Sequence, residues 1–563
     1  MTLAWVPSGT TVEQLADAGL SPGLMSAGLG KVPAEQTYLD VGQGNRVFDS
    51  LYKEPLPAKA GNPRWWREVV ERAESAPAEI VPGLLAATLR QAGRAADFEE
   101  RSTNIADLSR LKGRADVGDV VLAVARPTGE SDEPLAIGVL GEGFDGNLSS
   151  DSTRMDGFVL STDVAPTILE RLGVAVPSEM SGQPIHGEGS VDVAAIESLG
   201  ERMGVISHRR GPVIGLSLLA WLLGLVLVAA ATRSVLARPA VRMTGLAVIY
   251  MPLVMLAGAA LEPGETAEVL LVMLGAPLLA GLTLALLRDY RALAVAAGVT
   301  VGAYAVDLVL GSPLTSLSLL GPNPGLGVRF YGIGNELEAL LAVLVVAGTG
   351  AALAGFWPRL AGGRAAAVFV VVGLLAAFVF AAGRFGADVG AAIVLPIGAA
   401  VAAVAIAGRA RRWGLLAVVA APFAVLALLA LIDLVSGANA HLTRSVLDAG
   451  GLGDLSDVAQ RRLQLSANSF GRPVLLVFLP VVAALAVTAI AKRDRLQAWV
   501  RGVPAVRAGL LGALAATVVG TLANDSGALL LEVGTAYLLV FTGFAWAESS
   551  DAAAGEARAM PYP

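Results

Sequence analysis

Three short polar clusters interrupt the apolar second half of the chain, and each carries groups able to bind a cation, move a proton or grip an anion. The first ends a glycine-rich run, Gly321-Pro322-Asn323-Pro324-Gly325-Leu326-Gly327-Val328-Arg329-Phe330-Tyr331-Gly332-Ile333-Gly334-Asn335-Glu336-Leu337-Glu338. Its glycines permit tight turns. Asn335 is placed to cap a helix whose first turn holds Glu336 and Glu338, where the helix dipole favours carboxylates. The second is Gly383-Arg384-Phe385-Gly386-Ala387-Asp388, with Arg384 and Asp388 four apart, the spacing of an intrahelical ion pair. The third is the turn Asn524-Asp525-Ser526-Gly527, and Glu532 follows Asp525 by seven residues, on the same helical face. The plain reading of these clusters is a helix entry, a salt bridge and a cap. Ionisable groups at membrane depth are expensive and mark function by default. Arg329, Asn335, Glu336, Glu338, Arg384, Asp388, Asn524, Asp525 and Glu532 are therefore the candidate site, with the arginines suited to phosphate and the carboxylates to a cation or a proton.

The elements that must position these residues are membrane helices. Hydrophobic residues make up 55% of the chain and charged residues 16%, a balance that excludes a purely soluble protein. From Val213 onward, apolar segments of spanning length recur near 213–232, 244–261, 266–287, 291–311, 336–355, 365–382, 388–407, 413–434, 474–490, 508–523 and 528–546. They predict an all-α bundle of about eleven transmembrane helices over 206–548 and a disordered cytoplasmic tail over 549–563.

Residues 1–205 differ in kind. Val120–Val124 and Leu135–Leu140 read as buried strands, and Ala165–Leu172 as a helix with Pro166 in its first turn. Strands alternating with helices predict a soluble α/β domain with a mostly parallel sheet.

Arginines and lysines of the membrane half gather in alternate loops: Arg233, Arg238 and Arg242; Arg288 and Arg291; Arg359 and Arg364; Arg409, Arg411 and Arg412; Lys492, Arg493, Arg495, Arg501 and Arg507. The positive-inside rule makes those loops cytoplasmic, which puts the soluble domain and the three polar clusters on the outer side of an inner (plasma) membrane. His208-Arg209-Arg210 runs against the rule, as do His441, Arg444, Arg461, Arg462 and Arg472 in the loop 436–472, where 455–465 reads as a short amphipathic helix. An anionic lipid would give such residues a purpose; a solvated loop is the plainer alternative. A folded outer domain needs a signal-anchor, so a hydrophobic segment is expected upstream of Met1; a cytoplasmic domain with an even number of spans is the alternative.

Other chemistries are narrowed by composition. There are no cysteines and only three histidines (His186, His208, His441), so thiolate nucleophiles and zinc-thiolate sites are excluded, and neither metal nor cofactor is expected. No basic stripe with interleaved aromatics exists, so nucleic acid is not an expected partner.

Asp163-Val164-Ala165-Pro166-Thr167-Ile168-Leu169, then Leu172-Gly173, Pro177, Met180 and Ser181-Gly182-Gln183-Pro184-Ile185, resembles the C-terminal signature of the alkaline phosphatase superfamily. Val81–Leu85, Gln91–Gly93 and Glu35–Arg46 are similar to further pieces of such a domain. The resemblance implies an α/β fold with a Ser or Thr nucleophile and two metals held by Asp and His. Here the segment Gly141-Glu142-Gly143-Phe144-Asp145 has no histidine, His186 stands alone near the signature, and Thr37 is the best remaining hydroxyl. The resemblance thus implies an incomplete, non-catalytic phosphatase-like ectodomain, fused to a polytopic bundle in the layout of the glycosylphosphatidylinositol ethanolamine-phosphate transferases. Three functions fit: envelope assembly on an anionic lipid or lipid-linked glycan, a transporter or flippase with a regulatory ectodomain, or a non-catalytic scaffold for other envelope proteins.

Overall fold

The computed structural model describes residues 2–57, 63–94, 120–232, 235–408, 411–436, 466–467, 469–471 and 473–559. The residues discussed above between 437 and 465, with Arg233, Arg409 and Arg472, lie outside them. The chain divides into two compact units. One comprises the residues up to His208 together with Pro322–Phe330; the other comprises Arg209–Gly321 and the chain from Tyr331 onward.

In the first unit, β1 (Thr2–Val6), α1 (Val12–Asp17), β2 (Ser21–Ser26), β3 (Val32–Pro33), α2 (Ala34–Gln43), α3 (Pro63–Glu74) and α4 (Leu84–Gln91) come first. They are followed by β4 (Val121–Ala125), β5 (Glu130–Ser131), β6 (Leu135–Leu140), β7 (Asn147–Ser150), β8 (Phe158–Leu160), α5 (Val164–Arg171) and β9 (Ile185–Glu188). The main sheet has the order β1-β4-β6-β2-β8. β1 pairs with β4 and β2 with β8 in parallel, but β6 is antiparallel to both of its neighbours. The sheet is mixed, which corrects the expectation of a mostly parallel one. Residues 126–134, between β4 and β6, hold only the two-residue β5, too short for the crossover a parallel return requires. Every residue of β4 is buried, as its unbroken apolar run requires, and Leu122, Val124, Ile137 and Val139 sit at the centre of the core.

The 163–185 stretch proves to be a brace. The Asp163 carboxylate, fully buried, accepts hydrogen bonds from Ser150 Oγ (2.7 Å), Ser152 Oγ (2.5 Å) and the backbone amides of Leu160 and Gln183 (2.9 Å each). Thr167 Oγ1 donates to the Asp163 carbonyl (2.6 Å) and accepts from the Ile185 amide (2.8 Å). A Cβ on Gly182 would lie 2.1 Å from the Thr162 carbonyl oxygen, so only glycine fits there. Each of these polar residues ties α5 and β7 to the returning chain.

The second unit is helical. α6 (Val193–Ala231) leads into it, followed by α7 (Ala237–Leu261), α8 (Glu265–Leu286), α9 (Asp289–Val309), α10 (Asn335–Phe356), α11 (Gly362–Ala381), α12 (Val389–Ala407) and α13 (Arg411–Ser436). Beyond these lie α14 (Pro473–Ala491), α15 (Arg493–Trp499), α16 (Pro504–Ala523) and α17 (Gly527–Ala559). Among the described residues ten helices, α6 to α13 with α16 and α17, are long and apolar enough to cross a membrane. α14 is a further apolar helix and matches the remaining segment expected from the sequence. Helical backbone in α17 runs past Glu548, through part of the segment expected as an unstructured tail; its alanines (Ala552–Ala554) favour helix.

α10 is the central helix, buried without a break from Leu337 to Ala351. It meets α16 at Gly350, where a Cβ would lie 2.6 Å from the Ala505 carbonyl oxygen, and α16 in turn meets α12 at Gly512, where one would lie 2.3 Å from the Gly398 carbonyl oxygen. Small residues let the backbones approach closely, the packing available to helices that gain no hydrophobic drive from lipid.

Candidate functional site

Three helix mouths meet at one end of the bundle: the start of α10, the start of α12, and the turn between α16 and α17. α10 is N-capped by Gly334 with no side-chain bond. Asn335 is thus the first helical residue, not the expected cap, and its side chain turns to the neighbouring mouth. Its Nδ2 lies 3.4 Å from Asp525 Oδ1, and its Oδ1 accepts from Asn524 Nδ2 at 3.1 Å. The same Asn524 amide donates to Glu338 Oε2 at 2.7 Å, and Asn524 Oδ1 accepts from the Ser526 amide, closing the turn. Glu338 is only 2% exposed and Asn524 8%, so this is a buried carboxylate held by a buried amide. The pair is anchored from below by Ser466, which donates to the Thr521 carbonyl, and by Ser469, which accepts from the Ala528 amide.

The third mouth contributes backbone. Asp388 N-caps α12, accepting from the Ala391 amide at 3.0 Å. Residues 384–387 precede the helix, so the i,i+4 geometry expected for Arg384 and Asp388 does not arise. Arg384 is exposed, its guanidinium 5.0 Å from the centre of the Phe385 ring. Gly390, in the first turn of α12, lies directly against Glu338: a Cβ there would fall 2.5 Å from both carboxylate oxygens.

Glu336, two residues before Glu338 and so on the opposite side of α10, pairs with Arg210 at 3.2 Å. Arg210 also donates to the carbonyls of Leu319 (2.5 Å) and Gly321 (2.6 Å). Arg209 pairs with Glu268 at 3.1 Å, and that glutamate is 1% exposed. Sequence reasoning gave these two arginines no partners; neither carboxylate is near them in the chain. Asp307, buried at the end of α9, accepts from the amides of Leu314 and Thr315 and serves as a turn cap.

The remaining candidates stand apart. Arg329 is half-buried in the segment Pro322–Phe330, which packs within the first unit. Glu532 lies inside α17, while Asp525 precedes that helix, so the two do not share a helical face. The Glu532 Oε1 is buried with no hydrogen-bond partner, and the hydrogen bonds among Asn335, Glu338, Asn524 and Asp525 do not extend to it. Among the described residues no three of His, Asp and Glu are grouped so as to hold a metal ion. The network is suited to a proton or to a ligand that hydrogen-bonds.

In the first unit a cavity of about 220 Å³ opens at the carboxyl ends of β1 and β4, lined by Thr10, Thr37, Arg126, Thr128 and Glu133 among others. Thr37, on α2, is fully buried, and its hydroxyl has no hydrogen-bond partner. His186 is exposed on β9, opposite Ser149 of β7. Asp40, three residues beyond Thr37, accepts from Gln36 (2.7 Å) and Gln43 (3.1 Å); burial pushes its carboxyl up to about 7, with those bonds and the charge of Arg46 pulling back only in part.

The bundle makes the chain a multipass membrane protein. No family model matches it, and neither the curated proteins nor the solved structures include one similar to it.

Proposed function

We propose that the protein is a transporter or flippase of the cell envelope in which Glu338 takes up and releases a proton as substrate passes the mouths of α10, α12 and α16. The soluble domain is its accessory, a non-catalytic phosphatase-like module on the outer face of the inner membrane. The observation that carries this reading is the placement of Glu338: a carboxylate 2% exposed in a helical bundle, accepting a hydrogen bond from the Asn524 amide where two helices begin and a third turns into a fourth. A carboxylate in such surroundings is kept for what its charge does. Helix ends gathered at a polar mouth present backbone groups to a ligand, as the helix ends at transporter binding sites do.

The envelope-assembly reading, with an anionic lipid-linked substrate, asks for arginines facing that substrate. Arg210 and Arg209 are already engaged by Glu336, Glu268 and backbone carbonyls. Exposed Arg384 beside Phe385 is the observation that favours this second reading, since the pair offers a cation next to an apolar ring at a helix mouth.

The test is a pH jump across proteoliposomes holding the full chain, read as charge displacement on a supported membrane. Wild-type protein is expected to give a transient that Glu338→Gln removes. A transient of equal size in the folded Gln variant rejects the proposal, and one lost only in Arg384→Ala favours the anionic-lipid reading.

A further inference from the structure

The cavity at the carboxyl ends of β1 and β4 lies wholly within the soluble unit, so every residue lining it belongs to one compact body. β6 runs antiparallel to β4, and its first residues, Leu135 and Ala136, line the cavity while Gly141 follows its far end. The cavity is therefore at the other end of β6 from 141–145, the segment where the phosphatase resemblance looks for a histidine. A single water needs only about 10–15 Å³ of such space, so about 220 Å³ admits a molecule of several heavy atoms.

The polar lining is graded from floor to rim. Thr37 and Thr10, 0% and 8% exposed, are at the floor; Arg126 is half-buried, and Thr128 and Glu133 are exposed at the rim. The two floor hydroxyls differ in what they have left to give. Thr10 Oγ1 donates its one proton to the Pro7 carbonyl at 2.7 Å, so to anything else it is an acceptor. Thr37 Oγ1 has no hydrogen-bond partner and keeps its proton to donate. An unpaired hydroxyl in the interior costs free energy that a valine of the same shape avoids. Arg126 and Glu133 add one charge of each sign. A guanidinium has several N–H donors and a carboxylate several acceptor sites, so each can serve the fold and a ligand together.

We propose that this cavity binds a small zwitterion of the free amino-acid type, with Thr37 and Arg126 donating to its carboxylate and Thr10 and Glu133 accepting from its ammonium. A lone anion would meet the Glu133 carboxylate as a repulsive neighbour, and a neutral polyol would answer the hydroxyls but neither charge. The soluble domain is then a ligand-binding module in its own right, independently of whether Glu338 carries protons.

The test is calorimetric titration of the full chain in detergent with a panel of L-amino acids. Acetate, methylammonium, inorganic phosphate and glucose are the comparators, and amide exchange is followed on the same samples. At least one amino acid is expected to bind saturably and to slow exchange in α2 and β4, with acetate and methylammonium at least about tenfold weaker. Thr37→Val is expected to keep wild-type protection of β4 without ligand and to weaken binding at least about tenfold; Arg126→Gln should weaken it as well. Loss of β4 protection in Thr37→Val would show that the hydroxyl serves the fold, and overturns the proposal. So does an amino acid that binds wild type and Thr37→Val equally. Binding of phosphate or glucose alone rejects the zwitterion, and heat from none of the probes rejects the site.

Discussion

The Asn524 amide lies 2.7 Å from the Glu338 carboxylate, joining residues 186 apart in the sequence at a buried point. This contact divides charge from hydrogen bonding in a way that mutation can separate. Glu338→Gln keeps a carbonyl oxygen for the Asn524 amide and removes the charge, so stability is expected to stay near wild type while proton-linked charge movement disappears. Asn524→Ala leaves the carboxylate buried without that donor and should destabilise by ~2–3 kcal/mol, read by thermal unfolding in detergent.

Gly390→Ala changes no charge and no hydrogen-bonding group, yet its methyl would press on both Glu338 oxygens. The expected outcome is a pH-jump transient reduced nearly as far as in Glu338→Gln. Gly298→Ala in α9 is the control, because nothing lies within 4 Å of its Cβ position. A Gly390→Ala protein indistinguishable from this control would falsify the close placement of Glu338 against α12.

Asp163 holds the fold together through four hydrogen bonds to its buried carboxylate. Asp163→Ala strands two hydroxyls and two backbone amides in the interior and is expected to lower stability of the soluble domain by at least ~3 kcal/mol. Asp163→Asn keeps an acceptor and should cost less. Urea titration of the full chain, followed by exchange in β8, measures both.

Asp40 gives the soluble domain a pH dependence of predictable sign. Its carboxyl is raised from 3.8 to about 7 in the folded state, so between those values the folded chain binds more protons than the unfolded one. Stability is therefore greatest below about pH 4, falls as pH rises, and levels off above about 7, by up to ~4 kcal/mol in all. Asp40→Asn should flatten the profile. A profile from the variant with the same slope as wild type assigns the effect elsewhere.

The apolar segments and the three polar clusters could be read from the sequence because each is local: a run of length, a turn, a cap. What could not be read are the pairings between distant segments. Arg209 and Arg210 look anomalous as loop charges, but they are held by Glu268, Glu336 and two carbonyls, and the sequence places none of these beside them. The antiparallel β6 was hidden for a related reason, since strand direction depends on what a connection can span rather than on the strand's own residues. The close seat of Gly327 against the Gly28 carbonyl was equally out of reach. One glycine among many in a glycine-rich loop is distinguished only by the carbonyl it lies against. Asn335 illustrates the reverse: its residue type suits a cap, and the structure uses its amide for a neighbour instead.

The glycine contacts among α10, α12 and α16 also limit how this protein can work. Backbones in direct apposition have no rotamers to exchange and cannot slide without separating outright, so those three helices must behave as one block. Conformational change in the membrane domain is thereby confined to the helix ends and to the outer helices, and a search for moving parts should begin there.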